Sequence, residues 1–117
     1  MTYEEIVKKA TQAAKKVDTK AVSEHIAVEF DVEGEGEGAF YVELDKGKIR
    51  VKPYEYYDND CRIRGNANDI IDLLEGRSDP TVLYLKGQIR IEGNLDKAFA
   101  LANMPRKKNT QKKASNV

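Results

Sequence analysis

The chain has 117 residues, of which 40% are hydrophobic and 34% charged. This composition fits one compact domain and excludes two full domains. Five of the 20 basic residues and none of the 20 acidic ones fall in residues 106–117, so the rest of the chain carries a net charge of about −5 and repels nucleic acid on average. No stretch approaches the roughly 18 apolar residues of a membrane span, and the first ten residues lack the apolar region of a signal peptide. We therefore expect a soluble, cytoplasmic protein.

The sequence contains little that could do covalent chemistry. Cys61 is the only cysteine and His25 the only histidine, so one chain can assemble neither an internal disulfide nor a thiolate or imidazole metal cluster. His25 precedes a predicted strand with no serine or cysteine nucleophile to serve, and Cys61 is interpreted as a small inward-facing apolar residue. These observations predict a protein that is not an enzyme.

The first segment predicts an amphipathic helix, because apolar residues recur at helical spacing from Tyr3 to Val17. Thr2 and Glu5 match a capping box at its start. From residue 26 onward the apolar period changes from helical spacing to two residues, which is typical of half-buried strands. This alternation predicts strands around residues 26–33, 40–44, 49–51 and 61–64.

Two glycine-containing segments separate these strands. The tract 34–38 alternates glycine and glutamate, and it is interpreted as a flexible loop because it precedes a strand and its glutamates would repel a phosphate. Residues 45–48 have the turn chemistry of a hairpin.

The second half predicts three short helices around one further strand. Asn66 can cap a helix that ends at Gly76, and Asp79 can cap a second helix that has Pro80 at its first position. Residues 88–92 alternate as a fifth strand, and Asn94 can cap a last helix. Strands segregated from helices predict an α+β domain with a mostly antiparallel sheet.

The predicted sheet has one apolar and one charged face. The charged face allows two interpretations: a solvated surface whose opposite charges pair across strands, or a basic and aromatic surface for single-stranded nucleic acid. We favour the paired surface because acidic strands lie alongside the basic ones. The basic and aromatic residues concerned are Lys48, Arg50, Lys52, Arg62, Arg64, Tyr41, Tyr54, Tyr56 and Tyr57.

Two motifs in the second half resemble a known family. The segments EGRSDP (residues 75–80) and LYLKGQIRIEGN (residues 83–94) are similar to the signature of the sterol carrier protein 2 domain family, in which a proline-led helix and a glycine-bounded strand lead into the last helix. The resemblance spans roughly residues 3–104. It implies a domain at residues 1–104. The basic residues 105–117 have almost nothing apolar to bury, so we expect them to form a disordered tail.

The resemblance also implies an apolar tunnel between the helices and a five-stranded sheet, holding a fatty acid, an acyl-CoA or a similar lipid without a cofactor or covalent chemistry. Lys86, Arg77 and the tail lysines are candidates for a cation at its mouth, and the tail is a candidate for transient contact with anionic membranes. Two alternatives stay open: the lining residues pack only against one another, or the fold is a protein- or RNA-binding module with a filled core. The expected lining is Phe30, Phe40, Val42, Ile63, Ile70, Leu74, Val82, Leu83, Leu85, Phe99 and Ala102.

Overall fold

Ten elements follow one another in this computed structural model, which describes residues 1–107. Their order confirms the α+β fold predicted from the sequence. The elements are helix α1 (Tyr3–Lys15), a short 3-10 helix (Thr19–Ala21), strands β1 (Ile26–Glu33), β2 (Gly38–Asp45), β3 (Lys48–Lys52) and β4 (Cys61–Asn66), helices α2 (Ala67–Leu74) and α3 (Pro80–Leu85), strand β5 (Ile89–Gly93) and helix α4 (Leu95–Ala102).

The five strands form one sheet in the order β3-β2-β1-β4-β5. Three neighbouring pairs are antiparallel, and the central pair of β1 with β4 is parallel. The turn between β2 and β3 has positive φ at both Lys46 and Gly47, as a two-residue hairpin loop of this kind requires. The sheet is thus mostly antiparallel, as predicted.

The apolar face of the sheet forms the floor of the core. Phe30 and Phe40 lie directly opposite each other on β1 and β2, and their rings stack with centroids 5.2 Å apart. Val28 pairs with Val42 and Ile26 with Leu44 along the same two strands, and all of these side chains are buried. Cross-strand apolar pairs of this kind set the register, because a slip by one residue would turn every one of them to the opposite face.

Side chains that cap the helices fix where each of them starts. The Thr2 hydroxyl accepts from the Glu5 amide while the Glu5 carboxylate accepts from the Thr2 amide, which confirms the capping box. Asn66, Asp79 and Asn94 accept from backbone amides at the starts of α2, α3 and α4. All four predicted caps are confirmed.

The four helices lie on the apolar face. Helix α1 packs against β3 and α2, α2 also contacts β4 and β1, and α4 contacts β4, β1, β5 and α3. Helix α1 turns a stripe of small side chains inward, since Ala10, Ala13 and Ala14 are buried alongside Ile6. No helix in the described residues is both long enough and apolar enough to cross a lipid bilayer.

Residues 103–107, here called the strap, return to the end of α1. The Asp18 amide donates to the Pro105 carbonyl at 2.7 Å, and the Lys107 amide donates to the Lys16 carbonyl at 2.7 Å. The start of the predicted tail, residues 105–107, is therefore packed on the domain. The predicted disorder and membrane contact of residues 108–117 lie outside the described residues.

The cap of α2 makes a testable contribution to stability. Replacing Asn66 by Ala removes the side-chain acceptor 2.8 Å from the Asp69 amide, and it should lower the free energy of unfolding by about 1 kcal/mol. The measurement is the urea midpoint by circular dichroism. The matched control is Asn68→Ala at an exposed position of the same helix, which should change stability by less than about 0.5 kcal/mol because Ala favours helix. Equal urea midpoints for both variants would contradict the assignment of Asn66 as the stabilising cap of α2.

Candidate ligand-binding site

An apolar pocket lies where α1, α2 and α4 meet the sheet below the strap. Nine of the ten lining side chains are hydrocarbon, and Arg106 of the strap is the tenth. The lining comes from the end of α1, from β2 and β3, from α2, from α4 and from the strap: Ala10, Ala14, Val17, Val42, Ile49, Leu73, Leu74, Leu101, Ala102 and Arg106.

The free space in this pocket is small. Its volume is about 20 Å³, which holds roughly one water-sized sphere. Sites for small molecules usually enclose about 300 to 1,000 Å³. In this conformation the pocket is therefore closed around its own side chains, and it is not an open tunnel.

The residues predicted to line a tunnel fall into three groups: residues that line the pocket, residues that are buried or half-buried outside it, and exposed residues. Val42, Leu74 and Ala102 line the pocket. Phe99 is half-buried and meets the Tyr84 ring edge to face, with centroids 6.0 Å apart. The remaining buried positions belong to the packed core, and ligand contact at any of them stays a prediction: Phe30, Phe40, Ile63, Ile70 and Leu83.

Val82 and Leu85 form the third group, and they are exposed by 44% and 77%. Neither side chain lines the apolar pocket. Helix α3 has two apolar stripes, because Val82 and Leu85 are three residues apart and so are the buried Pro80 and Leu83. A helix of six residues does not reveal from its sequence which stripe faces the core.

The predicted lining contains no residue from the α1 side of the pocket. Ala10 and Ala14 are four residues apart on the predicted helix, so their spacing was a usable signal for a shared inner face. Arg106 gave no such signal, because it stands among basic residues that read as a tail.

Arg106 is the polar group at the pocket mouth. Its Nε donates to the Glu75 carbonyl at 3.2 Å and its Nη2 donates to the Leu74 carbonyl, so the guanidinium caps the end of α2. Gly76 has φ of +76°, which favours glycine, and a Cβ there would stand 2.9 Å from Arg106 Nε, so a larger residue would also displace the guanidinium. Burial lowers the pKa of Arg106, and Glu75 opposes that shift.

A polar cleft of about 190 Å³ adjoins Arg106. Lys16 at the end of α1 and Arg77 after α2 line it together with Arg106, and Glu75 is the acidic residue among the lining residues that the structure describes. Arg77 is the candidate cation from the sequence that this arrangement brings near the pocket. Lys86 lines a different cleft beside Asp69 and Asp79.

The charged face of the sheet is less solvated than the sequence predicted. Glu29 is only 2% exposed, because the segment 53–60 lies across it. The Tyr56 amide donates to Glu29 Oε1 at 2.9 Å, and Arg62 Nε stands 2.9 Å from Glu29 Oε2. The buried carboxylate is therefore paired, as a buried charge must be.

Ion pairs also connect charges on β1, β4 and β5 of this face. Arg62 and Arg64 contact Asp31 at 3.4 and 3.5 Å, and both also contact Glu92. Tyr56 is held in place: its ring meets Tyr41 edge to face, and its hydroxyl donates to Glu43. These contacts favour the paired surface at Arg62 and Arg64, which have acidic partners. Lys48, Arg50 and Lys52 form no ion pair within residues 1–107.

Cys61 and His25, the cysteine and the histidine of the chain, have different environments. Cys61 is buried, and burial raises the pKa of its thiol to about 11, so the thiol stays protonated near neutral pH. His25 is on the surface, where its Nε2 lies 2.7 Å from Glu43 Oε2. This hydrogen bond is the main reason that the pKa of Glu43 is lowered.

This is an α+β domain in which helices cover one face of a five-stranded mixed sheet and an apolar pocket lies between the two layers. The chain belongs to the SCP-2 sterol transfer family, whose pattern it matches over residues 4–105. It is 30% identical to sterol carrier protein 2 of Bos taurus over 74 residues, which are 63% of this chain and 14% of the bovine protein.

Two solved structures share the fold at low sequence identity. A palmitated sterol carrier protein 2-like protein from Aedes aegypti, SCP2L2, has a TM-score of 0.64 at 16% identity and covers 87% of this chain and 92% of its own. The sec-alkylsulfatase Pisa1 from Pseudomonas sp. has a TM-score of 0.72 at 14% identity, and the likeness covers 83% of this chain but only 16% of that enzyme.

The charged face makes a prediction about Asp31. Burial and the neighbouring Glu29 raise the pKa of Asp31 from 3.8 to about 6, while Arg62 and Arg64 lower it. Carbon-detected NMR titration should find this value, and Arg64→Gln should raise it further. Because the folded state holds this proton more tightly, the Asp31 contribution to stability is complete below pH 3.8 and is lost as pH rises through about 6.

The control for this prediction is Asp31→Asn, which cannot titrate. As the pH rises from 4 to 7, the urea midpoint of the unmodified protein should fall relative to that of this variant. A midpoint difference that is constant over that range, or an Asp31 pKa near 4, would contradict the account of this face.

Proposed function

We propose that this chain is a non-catalytic carrier that holds a single-chain lipid between its helix layer and the apolar face of its sheet, in the cytoplasm. The observation that carries the proposal is the apolar pocket beneath the strap. Hydrocarbon side chains from α1, α2, α4 and two strands converge on it, and Arg106 alone is polar. Such a lining selects ligands by length and girth, which suits hydrocarbon chains of varied kind.

The pocket must expand before it can hold a lipid chain. Three features support this expansion. Helices α2, α3 and α4 have only six to eight residues each, and helices this short depend on packing for their stability. Helix α1 contributes Ala10 and Ala14, whose small side chains interlock little with the layer below. The strap is attached to the end of α1 by two backbone hydrogen bonds, to the end of α2 by Arg106 and to the core by the buried Met104, so its release breaks far fewer contacts than global unfolding does.

The energetics favour a lipid chain of ordinary length. Burying about fifteen methylenes at about 0.8 kcal/mol each gives about 12 kcal/mol. Association costs about 4 to 15 kcal/mol, and opening the pocket adds to that cost. Micromolar affinity is consistent with this balance, and it leaves release to a membrane feasible.

The relatives support a lipid as the class of ligand. The Aedes aegypti protein with the same fold is described as palmitated, and the bovine relative is a sterol carrier protein. Our proposal for this chain is a fatty acid, an acyl-CoA or a similar lipid. Since the matched segment is 14% of the bovine protein, the activity of that larger protein does not transfer as a whole.

One observation favours a second candidate, a protein-binding module that keeps the fold with a filled core. The pocket volume of about 20 Å³ is what a filled core would show. The RNA-binding version of this alternative has less support, because Arg62 and Arg64 are paired with Asp31 and Glu92.

The direct test is to identify what the protein carries. Native mass spectrometry of protein purified from cells should show a fraction with added mass, and lipid extraction should recover an apolar guest. Stripped protein should bind a fluorescent fatty acid saturably. If no guest is recovered and the fatty acid shows no saturable binding, the carrier proposal is wrong and the filled-core module is favoured.

A matched pair of variants tests the position of the site. Leu74→Trp places an indole in the pocket, whose free volume is about 20 Å³, and it should weaken fatty acid binding by about tenfold because the overfilled space resists opening. Leu85→Trp makes the same change at a side chain that is 77% exposed, and it should leave the affinity unchanged. Equal affinities for the two variants would place the lipid elsewhere. Circular dichroism confirms that both variants fold.

A further inference from the structure

The pocket and the cleft meet at Arg106, which lines both. On the α1 side, Ala13 lines the cleft while Ala10 and Ala14 line the pocket. A lipid whose hydrocarbon tail occupied the pocket would therefore carry its headgroup past Arg106 into the cleft.

The charges of the cleft are unequally matched. Glu75, the acidic residue among its described lining residues, forms an ion pair with Arg77, and Arg77 also contacts Asp72 at 2.7 Å. Lys16 forms no ion pair with any residue between positions 1 and 107. Arg106 and Lys16 thus form no direct ion pair in the described part of the chain.

Arg106 also keeps donors to spare. Nε and Nη2 donate to the last carbonyls of α2, whereas Nη1 makes no hydrogen bond within residues 1–107. A guanidinium fixed by two of its nitrogens is already oriented, so a further acceptor at Nη1 costs little additional ordering.

We propose that Arg106 and Lys16 form the seat for the anionic headgroup of the carried lipid, a carboxylate or a phosphate, and so make the carrier selective for acidic lipids over neutral ones of the same chain length. This inference rests on the proposed function, because it assigns the headgroup end of that same site. Arg77 supports the seat by occupying Glu75, which would otherwise neutralise Arg106.

A simpler role for these cations is helix capping. The C-terminal ends of α1 and α2 both lie at this cleft, and their partial negative charge is offset by Lys16 and Arg106. If Arg106 acts only as a helix cap, its replacement should change the affinity for every ligand equally. If Arg106 binds the headgroup, its replacement should lower the affinity for acidic ligands only. The ratio of the affinities for an acidic and a neutral ligand therefore separates the two roles.

The experiment measures binding of hexadecanoate, hexadecyl phosphate and 1-hexadecanol to the stripped full chain by equilibrium dialysis below their micelle concentrations. The unmodified protein should bind at least one anion about fivefold more tightly than the alcohol, as expected for a half-exposed charged contact. The two anions distinguish a carboxylate from a phosphate headgroup. High salt should reduce this preference.

Three variants assign the preference to the seat. Arg106→Gln should abolish it, and Lys16→Gln, which leaves the backbone bonds of the strap in place, should reduce it about twofold. Arg106→Lys should retain part of it. The matched control is Lys86→Gln, which removes one exposed charge from the other cleft and should leave the ratio unchanged.

The outcomes separate this inference from the proposed function. If all three ligands bind with equal affinity, or if Arg106→Gln weakens all three equally, the headgroup seat is wrong while the carrier stands. If none of the three binds saturably, the carrier proposal fails and the seat fails with it.

Discussion

Packing of short helices on the apolar face of one sheet is the interaction on which the rest of this structure depends. The sheet offers a continuous apolar floor, from Ile26 on β1 to Ile89 on β5. Within residues 1–107 its cover is four α-helices, of which only α1 exceeds eight residues. Because helices of that length gain little stability by themselves, floor and cover need each other. The caps at Thr2, Asn66, Asp79 and Asn94 set where each piece of the cover begins.

The same packing explains why the pocket is closed and why it is a candidate for opening. Alanine side chains on α1 leave shallow contacts with the layer beneath, and the chain fills what remains with Leu73, Leu74 and Leu101. An empty hollow would lose dispersion contacts along its walls, so a pocket closed on its own side chains is the more stable arrangement. Arg106 then ties the strap to the end of α2, where the carbonyls would otherwise lack partners.

The two faces of the sheet are held by different kinds of contact. On the charged face, Glu29 is buried beneath Tyr56, and ion pairs connect β1, β4 and β5. Polar networks of this kind need exact partners and resist rearrangement. On the apolar face, contacts are non-directional and can be exchanged for those of a guest. The outer face of the sheet thus rests on directional polar contacts, and the inner face on non-directional apolar ones.

Local patterns in the sequence determined the element order, the caps, the hairpin turn and which residues of β1 and β2 face inward, because capping and two-residue alternation act within a few positions of the chain. Only the tertiary structure decided that β1 pairs in parallel with β4, that Val82 and Leu85 face outward, and that the segment 53–60 covers Glu29. Arg106 belongs to the same group, since its partners Leu74 and Glu75 lie about thirty residues away. Contacts across such separations depend on how finished elements pack together, and no local period records them.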